Sequence, residues 1–265
     1  MTAPRMWFNG RPATLDDVAA LLTTNYGHFT AMQVRNGRVQ GLQRHLQRLQ
    51  DATRALFASD LDLERVRAWL RAAVGNADAS VRISVYSQAF DRDHPLRSVA
   101  PDVLLALAPP RRIDAASLRV CSMRVEREAA QLKHLGSFDL FHQRRQAQQL
   151  GFDDALLVRA DGAVAEGSVW NVGFCDGRGI VWPDAPALDG IAMQVLKAGL
   201  AELGVPQSVR RVELTEVGGF GGAFFTNSTR AVMPLAAIDA APFALDPAWR
   251  ELLERALASQ PWERP

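Results

Sequence analysis

Residues 27–50 read GHFTAMQVRNGRVQGLQRHLQRLQ, and the rest of the chain is arranged around them. Asn36-Gly37 stands between short apolar-polar runs, the strongest local hairpin signal, so strands are expected over 27–35 and 38–40. Leu42, Leu46, Leu49 and Leu56 then share one helical stripe, with Arg44, Gln47, Gln50 and Arg54 elsewhere, which predicts an amphipathic helix. Working outward, 61–73 reads as a second amphipathic helix with Asp60 as its N-cap. Residues 81–86 and 103–107 read as strands. Pro109-Pro110-Arg111-Arg112 excludes helix and central strand and stiffens the connection, which makes it the best linker. Beyond it, strands are expected over 118–123, 155–158, 169–174, 179–182, 223–225 and 232–238. Helices are expected over 138–150, 191–203 and 249–257, and turns at Asp161-Gly162 and Asp176-Gly177. The expected class is α+β (mixed α/β), in two domains, 1–110 and 111–265.

Composition narrows the function. The 265 residues carry 30 Lys+Arg against 29 Asp+Glu, a net charge of +1, which lacks the basic footprint of a nucleic-acid binder. Hydrophobic content of 48% and charged content of 22% are those of a globular chain. No apolar run approaches the roughly 18–20 residues that span a bilayer. Residues 1–10 hold one Arg and no apolar h-region, so they do not read as a signal peptide, and a cytoplasmic protein is expected. Two cysteines, Cys121 and Cys175, make neither a disulfide framework nor a metal site of their own. Five histidines, His28, His45, His94, His134 and His142, lack ligand spacing, so no metal is expected. Phosphate-loop, dinucleotide, zinc-protease and nucleophile-elbow motifs are absent. The glycines at 218, 219, 221 and 222 read as a turn.

Three separated segments carry chemistry that a single cofactor needs. They are Arg48 in His45-Leu46-Gln47-Arg48-Leu49, Lys133 in Lys133-His134-Leu135, and Glu166 in Glu166-Gly167-Ser168-Val169-Trp170-Asn171. With Gly27-His28-Phe29, Asn36-Gly37, Gly151-Phe152-Asp153-Asp154-Ala155-Leu156, Asp161-Gly162, Leu188-Asp189-Gly190-Ile191, Phe225-Thr226-Asn227-Ser228 and Pro234, their order and spacing resemble the class IV aminotransferases. These are the fold type IV pyridoxal-phosphate enzymes, among them branched-chain and D-amino-acid aminotransferases and 4-amino-4-deoxychorismate lyase. The resemblance implies a two-domain fold with pyridoxal 5'-phosphate between the domains, a small amino acid or keto acid as substrate, and a homodimer, for which apolar Trp7 and Phe8 leave room.

It also implies residue roles. Lys133 is the Schiff-base lysine and proton carrier, with Lys197 its only rival in the chain. Glu166 is the carboxylate that keeps the ring nitrogen protonated, supported by Asn171. Arg48 and the amides of Ile191 and Ala192 at a helix start hold the phosphate. Ser228 and Thr229 contact phosphate and substrate carboxylate, and Thr30 and Asn227 face the substrate.

The departures from the family pattern cluster on the substrate side. Asn25-Tyr26-Gly27 replaces G-D-G, Phe29-Thr30-Ala31 replaces F-E-T, and Ala192-Met193 follows Gly190-Ile191 where Thr-Arg is common. Phe138 occupies a tyrosine position, so another group must bond the cofactor's phenolate oxygen. Thr30, the Lys-His-Leu triplet and Asn227 resemble the lyase branch. Two reactions therefore stay open, amino transfer through Lys133 and release of pyruvate from aminodeoxychorismate, beside a non-catalytic relative.

Overall fold

The structure, a computed structural model, describes residues 5–111 and 117–265. Residues 1–4 of the N-terminal stretch and Arg112 of the expected linker lie outside them. The chain forms two compact units. One comprises Met1–Arg112, Leu132–Gly136 and Trp262–Pro265, the other Ile113–Gln131 and Ser137–Pro261.

In the first unit the elements are β1 (Arg5–Phe8), β2 (Arg11–Pro12), α1 (Leu15–Thr24), β3 (His28–Arg35), β4 (Arg38–Gln40), α2 (Leu42–Phe57), α3 (Leu63–Val74), β5 (Ala79–Tyr86) and β6 (Asp102–Ala108). With Trp262–Glu263 at one edge, the sheet runs Trp262–Glu263, β4, β3, β5, β6, β1, β2, and each pairing is antiparallel. The hairpin closes as expected. Arg35 pairs with Arg38, and Asn36 and Gly37 take φ of 50° and 66°, the positive values a two-residue loop with native twist requires. Along β3, residues alternate between buried and half-buried, so His28, Thr30, Met32 and Val34 point into the core. Onto that face α2 lays Leu42, Leu46, Leu49 and Phe57; Leu56 is only partly buried.

Two local expectations are corrected. The cap of α3 is Asp62, which accepts from the Arg65 amide at 3.0 Å, because Asp60 is already committed to Gln50 and Arg54 of α2. Phe8 is not exposed: β1 lies between β6 and β2, and its alternation turns Phe8 onto Tyr86 and Leu104 while Trp7 packs partly against the main core. Exposed apolar side chains occur instead on α1, where Leu15 and Leu22 are 77% and 71% exposed.

Lys133 was expected in the second domain, and this too is corrected. Its segment pairs with β3, the Phe29 amide donating to the Lys133 carbonyl at 2.9 Å and the Leu135 amide to the Gly27 carbonyl at 3.0 Å. Gly27 (φ 152°) makes the approach possible. A Cβ there would lie 2.4 Å from the Val85 carbonyl oxygen and 2.9 Å from Leu135 Cδ1, distances no side chain tolerates.

The second unit contains β7 (Leu118–Arg124), α4 (Phe138–Gln149), β8 (Asp154–Val158), β9 (Val164–Gly167), β10 (Asn171–Cys175), β11 (Ile180–Pro183), α5 (Ile191–Glu202), β12 (Gln207–Arg210), β13 (Gly222–Thr226), β14 (Met233–Ile238), β15 (Ala241–Pro242) and α6 (Pro247–Ser259). Its sheet runs β12, β11, β10, β13, β14, β7, β8, β9, with β15 paired to β14. The β11–β12, β14–β7 and β7–β8 pairings are parallel. The glycine cluster is not a simple turn; it spans the end of a short 3-10 helix, Leu214–Gly219, and the start of β13. The strand expected over 169–174 begins only at Asn171. Between β9 and β10 the chain bends so that Ser168 and Trp170 both donate to buried Asp154, at 2.6 Å and 3.0 Å. Arg144 from α4 completes that cluster with two bonds to the same carboxylate, at 3.1 Å and 2.8 Å.

Candidate active site

In the first unit, Lys133, Arg48 and Thr30 are gathered around His45 and Phe29. The Lys133 ammonium lies 4.9 Å from the centroid of the Phe29 ring, and the Arg82 guanidinium carbon lies 3.5 Å from the same centroid. Arg82 alternates to the open face of β5, and its Nε donates to Ser84 at 3.2 Å; it makes no ion pair among the described residues. Arg48 is half-buried one helical turn after His45 on α2. His45 is buried, with its Nδ1 2.6 Å from the Thr30 hydroxyl. Burial pushes the His45 imidazole down to about 3, and the positive charges of Arg48 and Lys133 push in the same direction. The centre of this region is therefore a neutral ring among cations.

A second histidine, His28, is also buried. Thr53 donates its hydroxyl proton to the Leu49 carbonyl at 2.8 Å, so its oxygen accepts from His28 Nε2 at 3.0 Å. That fixes the tautomer and leaves His28 Nδ1 buried without a partner among the described residues. Burial lowers the His28 imidazole to about 4.

In the second unit, Glu166 at the end of β9 is buried. One of its oxygens accepts from Arg127 and the other from the Leu188 amide at 3.2 Å. The Leu188 carbonyl in turn accepts from Asn171 Nδ2 at 2.7 Å. Two residues on, Gly190 packs against the same asparagine; a Cβ there would lie 1.9 Å from Asn171 Oδ1. The network thus ties the carboxylate to the start of α5. Gly190 provides no side-chain cap, and Ile191 and Ala192, both buried, open the helix. The first amides of a helix have no partner within it, so this end is suited to an anion.

The substrate-facing expectations fare unevenly. Thr30 is corrected: the alternation of β3 turns it inward to His45, fully buried, so it supports the site from behind. Asn227 is committed to its own loop, accepting from the Thr229 and Arg230 amides at 2.9 Å and 2.8 Å and donating to the Val169 carbonyl at 3.4 Å. Ser228 and Thr229 are half-buried in the loop so formed. Phe138, at the expected tyrosine position, is 74% exposed and stacks on His142. Lys197, the other lysine, sits on α5 with its amine 5.1 Å from the Trp182 ring centroid, and burial lowers its pKa. Sequence reading missed Arg82 and Arg127. Strand alternation marks Arg82 as solvent-facing, whereas nothing local marks Arg127, which lies outside any regular element.

Comparison with known proteins identifies the family. The chain belongs to the class IV amino-transferases, whose family model matches residues 27–238. A probable branched-chain-amino-acid aminotransferase of Rickettsia bellii is 26% identical over 261 residues, covering 88% of this chain and 87% of that protein. Among solved structures, the branched-chain aminotransferase of Thermoproteus uzoniensis superposes with a TM-score of 0.83 at 20% identity, covering 96% of this chain and 94% of that one. A hypothetical aminotransferase of Mycobacterium tuberculosis in its PLP-bound form gives 0.77 at 21% identity, covering 91% of each chain. At these identities the structural likeness establishes the fold. The chain is accordingly a pyridoxal-phosphate-dependent aminotransferase of class IV, and transfer is favoured over the lyase alternative. Taken separately, each unit carries groups of the kind that cofactor needs: a lysine amine and an arginine in the first, and a carboxylate bonded at both oxygens and an uncapped helix start in the second.

Proposed function

We propose that this enzyme moves an amino group between a small apolar amino acid and a 2-keto acid, with Lys133 as the acting amine. The observation that carries this reading is the placement of the Lys133 amine over Phe29, beside the neutral His45 and within the influence of Arg48. The name of the Rickettsia bellii relative supports a branched-chain side chain. Bound pyridoxal phosphate supplies the aldehyde that captures the substrate amine and the ring that accepts electrons from its α carbon.

The chain's own groups do the rest. Lys133 Nζ would take the proton from the substrate α carbon and deliver it to the cofactor carbon that carried the aldehyde, on the far side of the substrate nitrogen. Glu166 holds a proton on the ring nitrogen. Arg48, the amides of Ile191 and Ala192, and Ser228 take the phosphate charge, while Asn171 sets the helix start through Leu188 and Gly190. Arg82, exposed over the Phe29 ring that also carries Lys133, receives the substrate carboxylate.

The decisive experiment mixes the loaded enzyme with 2-oxoglutarate and leucine, valine or aspartate. Keto-acid-dependent transfer from the branched donors is expected. Transfer confined to aspartate would overturn the apolar specificity, and pyruvate with 4-aminobenzoate from aminodeoxychorismate would overturn the reaction. A cytoplasmic homodimer belongs to the same proposal; exposed Leu15 and Leu22 on α1 are the support for association, and light scattering at about 29 kDa would refute it.

A further inference from the structure

Glu166 and Arg127 form a buried ion pair, their side chains 6% and 11% exposed. Arg127 Nη1 donates to Glu166 Oε1 and also, at 3.4 Å, to the Ala130 carbonyl of its own loop. The Leu188 amide donates to Oε2. A carboxylate has about four lone-pair positions. These donors orient the Glu166 carboxylate from both of its oxygens.

Resting on the reading of Glu166 as the partner of the cofactor's ring nitrogen, we propose that Arg127 is a positioning residue that keeps the shared proton on the ring rather than on the carboxylate. In a dry setting a carboxyl group and a pyridine can pair in two ways, as carboxylate with pyridinium or as neutral acid with neutral pyridine. Burial penalises the charged form of each group, so the neutral pair competes. A guanidinium stays charged in proteins, and one bonded directly to the carboxylate opposes protonation there. The proton is nearer to that positive charge on Glu166 than on the ring, so moving it to the ring is favoured. One proton shifts along one hydrogen bond; nothing is taken up, released, oxidised or reduced. The neutral pair would leave the ring a poor electron acceptor.

The test is the 15N signal of pyridoxal phosphate labelled at the ring nitrogen, bound to the wild-type protein, Arg127→Gln, Arg127→Lys and Glu166→Gln. The wild type and Arg127→Lys should give the protonated signal. Arg127→Gln, which retains a hydrogen-bond donor without the charge, should move towards the unprotonated position, and Glu166→Gln should do so more completely. A wild-type signal in Arg127→Gln, or an unprotonated one in Arg127→Lys, overturns the role assigned to the charge. If instead Glu166→Gln leaves the signal unchanged, the underlying reading of Glu166 fails. Should Arg127→Gln not fold, the 13C carboxyl signal of Glu166 in the loaded wild type, assigned by its loss in Glu166→Gln, decides. A carboxylate signal supports the proposal and a carboxylic-acid signal overturns it.

Discussion

Lys133 and Glu166 stand in surroundings of opposite character. Around Lys133 are Arg48, Arg82, the face of Phe29 and an imidazole that burial keeps neutral. Around Glu166 each carboxylate oxygen has a donor, one of them a guanidinium. A cation over an aromatic ring gains about 0.5–1 kcal/mol at an exposed site. A hydrogen bond to a charged group gains about 1.5–3 kcal/mol. In the proposed roles, the amine that would move a proton lies over an aromatic face, and the carboxylate that would hold one charge steady is bonded at both oxygens.

The largest expected effect comes from removing the mobile member. Lys133→Ala should eliminate the visible absorbance of the bound cofactor and lower turnover by about 10²–10⁴-fold. Persistence of the band would mean that another amine, Lys197 by elimination, holds the cofactor. Removing the restrained member should act on stability as well as rate. Glu166→Ala strands the buried Arg127 charge and should cost about 3–5 kcal/mol in a denaturant titration. A loss below about 1 kcal/mol would show that Arg127 is not left as an uncompensated buried charge.

A pH titration sharpens the contrast from the side of the first unit. His28 and His45 are held at about 4 and about 3, below the roughly 6.5 of an unfolded histidine. The unfolded chain therefore binds protons that the native chain refuses, and unfolding free energy increases with pH across that window. Stability is complete above about pH 6.5 and should fall as pH drops towards 4, with a slope of up to about 1.4 kcal/mol per unit from each group. A flat profile between pH 6.5 and 5 would mean that the imidazoles are charged in the fold. The smallest effect is Thr30→Val, which keeps the shape of the side chain and deletes its bond to His45. About 1 kcal/mol of stability should be lost, with cofactor affinity nearly unchanged. A change in cofactor affinity of tenfold or more would bring Thr30 back into the binding surface.

What could be read without coordinates followed the range of the interactions. Asn36-Gly37 and the leucines of α2 act within a few residues, and both hairpin and helix formed where local chemistry put them. The inward turn of Thr30 was also legible, since Thr30, Met32 and Val34 alternate with Phe29, Ala31 and Gln33, but a likeness at Phe29-Thr30 drew attention to the other face. The cap of α3 was misplaced by two residues because Asp60 and Asp62 look alike until Gln50 and Arg54 claim the first. Lys133 joined the first unit through a pairing about a hundred residues distant in the chain, which no local pattern contains. Arg127 was invisible for the same reason: its partner lies 39 residues away.

The chain carries nearly all of its positive charge as arginine. Of its 30 basic residues only Lys133 and Lys197 present side-chain amines. Guanidinium groups do not readily condense with aldehydes, so a reactive aldehyde cofactor in excess meets few places to become trapped by accident. Lys197, resting over Trp182, is a control already present in the molecule. Borohydride reduction of the loaded protein followed by peptide mapping then has very few possible answers, and adduct on the peptide containing Lys133 would mark the productive amine directly.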